Sequence, residues 1–154
     1  MLLAKDVMKR ELLTLTPQDT VKDIARRMVS TKVSGMPVVD EKGKILGVVS
    51  ENDLLKKSIK PEEPAVWNVC VWAIAGSGDK IDKYHNDLRK WLGETAGDIM
   101  TSPAICVEAT EELEKVGRMM LEKGIKRVFV TEHGKLVGVI SRSAFVKLLL
   151  NYEE

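Results

Sequence analysis

Residues Gly47-Val-Val-Ser-Glu-Asn-Asp-Leu54 join a run of β-forming residues to a helix start. The apolar run stops at Ser50 and the following residues favour a helix, so Ser50 stands at the N-cap position. Free backbone N–H groups and the positive end of the helix dipole make such a turn an anion site, and Asp53 adds a carboxylate beside it. A ligand carrying a phosphate and a pair of hydroxyls would suit both groups. The alternative is a capped helix whose early acid only complements the dipole.

The same stretch recurs in the second half of the chain. Asp98-Ile-Met100 repeats Asp6-Val-Met8 at an offset of 92 residues, and Gly138-Val139 repeats Gly47-Val48 at an offset of 91. One residue is lost between these points, in a predicted hairpin turn, where deletions are tolerated. The chain therefore contains two copies of one unit.

Each copy predicts the order β-α-β-β-α. Apolar residues at helical spacing predict the first helix of each copy, and Gly-Lys turns between β-forming runs predict a hairpin. The predicted elements are, in the two copies respectively, an extended piece (12–15; 105–107), a helix (from 21; from 113), a first hairpin strand (36–39; 127–131) and a second strand ending at residue 50 or 141.

The two hairpins resemble the CBS domain, a family named after cystathionine β-synthase. VSGMPVVDEKGKILGVVSENDLL (33–55) and GIKRVFVTEHGKLVGVISRSAFV (124–146) are similar to the hairpin and closing-helix signature of that family. The resemblance implies an α+β fold of two repeats related by a pseudo-twofold axis, with clefts that bind adenosine nucleotides in many members. We expect a first repeat at 1–58, an inserted helical segment at 59–95 and a second repeat at 96–154, the two repeats forming one module.

Length and charge limit the remaining classes of function. In a chain of 154 residues, a half of about sixty residues buries too little core to be stable alone, so the halves are expected to fold together. A net charge of +1 gives no general attraction to nucleic acid or to an anionic membrane, and neither is expected as a partner. Two cysteines without metal-like spacing and the lack of a signal peptide predict a cytoplasmic protein.

The insertion between the repeats predicts a helical hairpin. Residues 65–75 are an almost wholly apolar run that is too short to span a bilayer, and all three tryptophans lie in the insertion. In residues 80–92 the charges lie opposite an apolar helical face, which comprises Ile81, Tyr84, Leu88, Trp91 and Leu92. This hairpin either packs on its own module or gives residues 61–92 a surface for a second copy or a protein partner.

The resemblance also implies which residues form a first nucleotide cleft. Asp53 would accept the ribose hydroxyls, because a carboxylate accepts two hydrogen bonds from a vicinal diol. Arginine can fork onto phosphate oxygens, although Lys126 and Arg127 alternate along a strand and need not point the same way. The implied set is Asp53, Ser50 and Asn52 from the first repeat, the backbone around Cys106 and Ile125, and Lys126 and Arg127 at the phosphates.

A second cleft departs from this pattern. Ala144 stands where the first copy has Asp53, and alanine cannot accept the hydrogen bonds of a ribose. We expect this cleft to be empty or weaker, either as a vestige or for a different ligand. Its implied residues are Thr14, Val33, Ser34, Gly35, Met36, Ser141, Arg142 and Ser143.

Other chemistry finds little support in the sequence. His85 and His133 are single histidines without ligands at metal spacing, and no nucleophile elbow, P-loop or dinucleotide fingerprint occurs. With no nucleophile or base near the expected phosphate, neither an enzyme nor a catalytic cofactor is predicted.

Two functions from different classes follow. The leading hypothesis is a regulatory homodimer that senses AMP, ADP or ATP without converting it. S-adenosylmethionine is an alternative ligand, since it shares the adenosine but would leave the basic pair unused. The competing hypothesis is a protein interaction or dimerisation module that uses the apolar insertion and has vestigial clefts.

Overall fold

The computed structural model of the chain describes residues 1–63 and 78–150. Their arrangement is of the α+β class, as predicted, while the apolar run at 65–75 lies outside the described residues. In chain order the elements are α1 (Ala4–Val7), α2 (Val21–Thr31), β1 (Gly35–Val39), β2 (Ile45–Ser50), α3 (Glu51–Ser58), α4 (Gly78–Leu92), α5 (Ala96–Ile99), β3 (Cys106–Glu108), α6 (Leu113–Glu122), β4 (Arg127–Glu132), β5 (Lys135–Ser141) and α7 (Arg142–Leu150).

The chain forms two compact units, and each unit contains segments from both repeats. Unit 1 contains residues 1–14, 39–46 and 103–154, and unit 2 contains residues 15–38 and 47–102. The short helix at the start of each repeat therefore belongs to the unit built mainly from the other repeat, with α1 in unit 1 and α5 in unit 2.

Unit 1 is built on a three-stranded sheet of order β3-β4-β5, in which β3 is parallel and β5 antiparallel to β4. His133 and Gly134, with φ of 51° and 78°, form the two-residue turn of a hairpin whose primed geometry matches the strand twist. Helix α1 joins this unit because the Ala4 N–H donates to the Glu111 carbonyl at 2.8 Å. The buried core comprises Ala4, Ala109, Leu113, Val116, Met120, Val128, Val130 and Ile140.

Unit 2 packs α2 and α5 with residues of the β1-β2 hairpin. Leu15 forms one parallel bridge with Val38, so the predicted extended piece at 12–15 is not a strand. Pro37 explains this difference, because the next bridge would need the N–H that proline lacks. The buried core comprises Leu15, Ile24, Met28, Met36, Val38, Val49, Ala96 and Ile99.

Helix α4 confirms the helix predicted at 80–92 but corrects its apolar face. Ile81, Tyr84, Leu88 and Trp91 are half-buried, whereas Leu92 is 62% exposed. The buried residue of this helix is Lys90, which the pattern placed on the charged face. No described helix combines the length and apolar character that crossing a membrane requires.

Candidate functional site around Asp53

The turn from β2 to α3 places a carboxylate on its own backbone. Strand β2 ends at Ser50 and α3 begins at Glu51, as predicted. The Ser50 N–H donates to Asp53 Oδ2 at 2.8 Å, and Ser50 Oγ donates to the same oxygen at 3.1 Å. These bonds are the acidic half of a capping box, so one carboxylate oxygen of Asp53 holds the turn together.

The other carboxylate oxygen is held by residues distant in sequence. Lys90 Nζ donates to Asp53 Oδ1, and Thr101 Oγ1 donates to the same oxygen at 2.9 Å. Lys90 Nζ also donates to Thr101 Oγ1 at 2.8 Å, which closes a network of three side chains. The side chains of Asp53 and Lys90 are 3% and 4% exposed. A carboxylate offers about four lone-pair sites, and here four donor contacts use them.

Contacts between α3 and α4 position Lys90 at this carboxylate. Lys56 Nζ lies 2.9 Å from Asp87 Oδ1, and Lys57 Nζ donates to the Trp91 carbonyl at 2.6 Å. The second contact satisfies a carbonyl in the last turn of α4, where cations are favourable. Lys90 lies in that same turn of α4, so these contacts between α3 and α4 place the Lys90 ammonium next to Asp53.

The remaining residues predicted for the first cleft are spread over both units. Asn52 is exposed and lines an apolar groove of about 550 Å³ in unit 2 with Met28 and Leu55. The others, Cys106, Ile125, Lys126 and Arg127, belong to unit 1, where Lys126 is exposed and the other three are half-buried. The structure thus brings Ser50 and Asp53 together in unit 2, and the ligand-binding roles of all these residues stay predictions.

Burial shapes the chemistry of the Cys106 thiol. Desolvation raises the pKa of Cys106, and the negative charge of Glu108 raises it further. Such a thiol is protonated at neutral pH and is a weak nucleophile.

The residues predicted for the second cleft are divided in the same way. In unit 2, Val33 and Ser34 precede β1, which begins with Gly35 and Met36, and the Ser34 carbonyl accepts from the Glu51 N–H at 3.1 Å. Thr14 and the start of α7 belong to unit 1.

At the start of α7 the polar side chains contact one another. The hydroxyls of Ser141 and Ser143 lie 2.6 Å apart, and Arg142 Nε donates to the Ile125 carbonyl at 3.1 Å. Ala144 packs against the unit 1 core. This turn has no counterpart of the Asp53 carboxylate.

Sequence reasoning missed Lys90 and Thr101. Thr101 is the repeat counterpart of Lys9, 92 residues earlier, but the matching bridges of Thr101 to Val48 and of Lys9 to Val139 appear only in the structure. Lys90 lies in the insertion and has no counterpart, so the repeat carries no signal for it. Within residues 1–63 and 78–150, no three or more His, Cys, Asp or Glu side chains group as a metal site.

One family model and several solved structures are similar to this chain. A family model described as CBS domain matches residues 4–60 and 96–151. The crystal structure of CBSX2 in complex with AMP is 29% identical, with a TM-score of 0.81 and full coverage of both chains. The CBS domain pair of MJ0100, solved with 5′-methylthioadenosine and S-adenosyl-L-methionine, is 19% identical with a TM-score of 0.67, which shows the fold alone.

Sequence relatives span plants and archaea. Chloroplastic CBSX1 of Arabidopsis thaliana is 30% identical over 154 residues, which is 92% of this chain and 61% of that protein. The uncharacterized protein MJ1426 of Methanocaldococcus jannaschii is 26% identical over 156 residues, covering 97% of this chain and 92% of that protein.

Proposed function

The chain belongs to the CBS domain family, and we propose that its two repeats form a regulatory module that binds an adenine nucleotide without converting it. AMP is the first candidate, because a fold similar to the whole chain has been solved with AMP. ADP and ATP share its adenosine and phosphate, and S-adenosylmethionine is an alternative that shares only the adenosine.

The observation that carries this proposal is the buried carboxylate of Asp53. Asp53 lies at a strand-to-helix turn, and Ser50 fixes its orientation through two hydrogen bonds to Oδ2. A ribose diol supplies two O–H donors, which suit the Oδ1 side of this carboxylate. Backbone N–H groups at the start of α3 add a partial positive charge that favours an anionic ligand.

Two basic residues are proposed to contact the phosphates of the ligand. Lys126 precedes β4 and Arg127 begins it in unit 1, and we assign both to the ligand phosphates as the family resemblance implies. A ligand without phosphates would not use them. The turn at Ser141 lacks an acidic partner for a ribose, so a second site there is proposed to be weaker.

Catalysis is not part of the proposal. The residues assigned to the ligand include neither an activated nucleophile nor a poised base, and the raised pKa of Cys106 keeps its thiol protonated at neutral pH. The module instead reports ligand occupancy, and it does so by binding one arrangement more tightly than another. Cytoplasmic location and a protein partner for residues 61–92 stay predictions.

Isothermal titration of AMP, ADP and ATP tests the assignment of Asp53. We expect the wild-type protein to bind at least one of them and Asp53→Asn to bind it about ten- to hundredfold more weakly, because charged hydrogen bonds contribute about 1.5–3 kcal/mol. Circular dichroism at the assay temperature checks that each variant is folded.

Asp98→Asn is the matched control. Asp98 holds the start of α5 through the Thr95 N–H and hydroxyl as Asp53 holds α3, but it is exposed. This variant should bind like the wild type. Equal affinities for the two variants, or no binding of any of the three nucleotides by the wild type, would contradict the proposal. Binding of S-adenosylmethionine without binding of any of the three nucleotides would mean that S-adenosylmethionine is the ligand.

Exposed apolar side chains support a homodimer. Val29 and Leu55 in unit 2 are 81% and 55% exposed, and Leu121 and Val146 in unit 1 are 81% and 60% exposed. Leu121 and Val146 follow Val29 and Leu55 by 92 and 91 residues, so the same two positions of both repeats expose apolar groups. Val29 and Leu55 line the same apolar groove of unit 2 and so form one exposed patch, and we propose that a second copy of the chain covers such patches.

Replacing Val29 and Leu121 with aspartate should prevent this association. Light scattering after size exclusion is expected to give twice the chain mass of 17.2 kDa for the wild type and the single mass for the double variant. Leu92→Asp is the control, because Leu92 is 62% exposed on α4. Dissociation by Leu92→Asp and not by the double variant would favour the insertion as the interface.

A further inference from the structure

We propose that Lys90 is a built-in competitor for the ribose acceptor, which a ligand must displace from Asp53 before it can bind. This inference rests on the proposed function and deepens it, because it names the residue that sets the affinity of that site.

The bonding of Asp53 shows which contacts can be exchanged. The contacts to Oδ2 come from Ser50, three residues earlier, and hold the helix start. The contacts to Oδ1 come from Lys90 and Thr101, which lie 37 and 48 residues further along the chain. Since no lone-pair site is left open, ribose hydroxyls can reach Asp53 only by replacing donors. The exchange at Oδ1 leaves the turn intact.

Lys90 is the donor whose removal changes the affinity most. Its ammonium makes a charge-assisted bond, which is roughly twice as strong as a neutral one, whereas Thr101 offers a neutral hydroxyl. A hydroxyl that replaces the ammonium therefore loses part of its binding energy to the broken ion pair. Without Lys90, the ligand would instead complete a buried carboxylate that lacks a donor.

Displacement also affects the inserted helix. Lys90 lies in the last turn of α4, and its long side chain can extend to water once it leaves the carboxylate. Helix α4 is then held to α3 by the Lys56–Asp87 ion pair and by Lys57 on the Trp91 carbonyl. Occupancy of the site would loosen the end of α4.

Titration of AMP into wild type, Lys90→Met and Arg26→Met tests the competitor. Lys90→Met is expected to bind AMP about ten- to hundredfold more tightly, the ratio that one charged hydrogen bond produces. Arg26→Met is the control, because it also removes an ion pair in unit 2, the exposed pair with Asp23 on α2, but contacts neither Asp53 nor Lys90. Its affinity should equal that of the wild type.

Hydrogen exchange on the unmodified protein gives a second readout that does not depend on a variant folding. Saturating AMP should speed exchange of amides in the last turns of α4, residues 85–92. Unchanged or slower exchange there overturns the proposal, as does equal or weaker AMP binding by Lys90→Met.

The competitor role of Lys90 and the proposed function predict different failures in these titrations. If wild type binds AMP, Asp53→Asn binds it more weakly as expected, and Lys90→Met matches wild type, the competitor role is wrong and the proposed function stands. If neither wild type nor Lys90→Met binds any of AMP, ADP and ATP, the competitor role and the proposed function are both wrong.

Discussion

Asp53→Ala is expected to lower the free energy of unfolding by about 3–5 kcal/mol, the range measured when one partner of a buried ion pair is removed. The reason is the environment of Lys90, whose side chain is 4% exposed and would be left with the Thr101 hydroxyl and no counter-charge. Domains of this size are stable by about 5–15 kcal/mol, so the loss is a large part of the total.

Urea unfolding followed by circular dichroism measures this loss, and a double variant isolates its cause. Asp53→Ala with Lys90→Met removes both charges, and replacing a buried pair by apolar groups is often neutral, so most of the loss should be recovered. Asp98→Asn is again the comparison, because replacing this exposed capping acid should lower the free energy of unfolding by about 1 kcal/mol or less. If Asp53→Ala costs no more than Asp98→Asn, the buried pair does not stabilise the fold.

Gly47→Ala is the second substitution with a large expected effect. A Cβ at Gly47 would lie 2.8 Å from the Thr101 carbonyl oxygen and 2.9 Å from Met100 Sδ. The Thr101 backbone is held by two hydrogen bonds to Val48, at 3.0 and 2.9 Å, and cannot yield without breaking them. Overpacking of this kind costs about 1–3 kcal/mol. The shift would also move the Thr101 hydroxyl away from Asp53.

Gly138→Ala tests the same position in the second repeat. Its Cβ would meet Met8, with Sδ at 2.5 Å and Cγ at 2.8 Å. A methionine side chain has several rotatable bonds and can move, whereas a bonded backbone carbonyl cannot. Thermal unfolding should therefore show a larger loss for Gly47→Ala than for Gly138→Ala. The reverse order would mean that α1 is held more rigidly in unit 1 than Thr101 is in unit 2.

Local sequence patterns predicted most of the helices and hairpins of the fold. The apolar periodicities predicted α2 and α4, and the turn residues predicted both hairpins, because these signals depend on neighbours within one element. The repeat added the α+β class, and two matched copies of the 33–55 stretch made the family recognisable. The predicted end of β2 at Ser50 is confirmed.

Tertiary contacts explain what the sequence could not predict. Pairing of α5 with unit 2 and of α1 with unit 1 arises from contacts such as Ala96 with Asp19 and Ala4 with Glu111, which are 77 and 107 residues apart and which no local pattern encodes. The burial of Lys90 has the same origin. An amphipathic pattern places a lysine on the solvent side unless a buried carboxylate is known to face it. Asp53 was predicted as an acceptor open to a ligand, and its partner was missed.

A crystal structure of the protein grown with AMP is the most direct test of the central claim. We predict ribose hydroxyls within 3.2 Å of Asp53 Oδ1, the Ser50 contacts to Oδ2 unchanged, and the Lys90 ammonium moved off the carboxylate. AMP bound elsewhere with the Asp53–Lys90 pair intact, or no AMP at saturating concentration, would contradict the account.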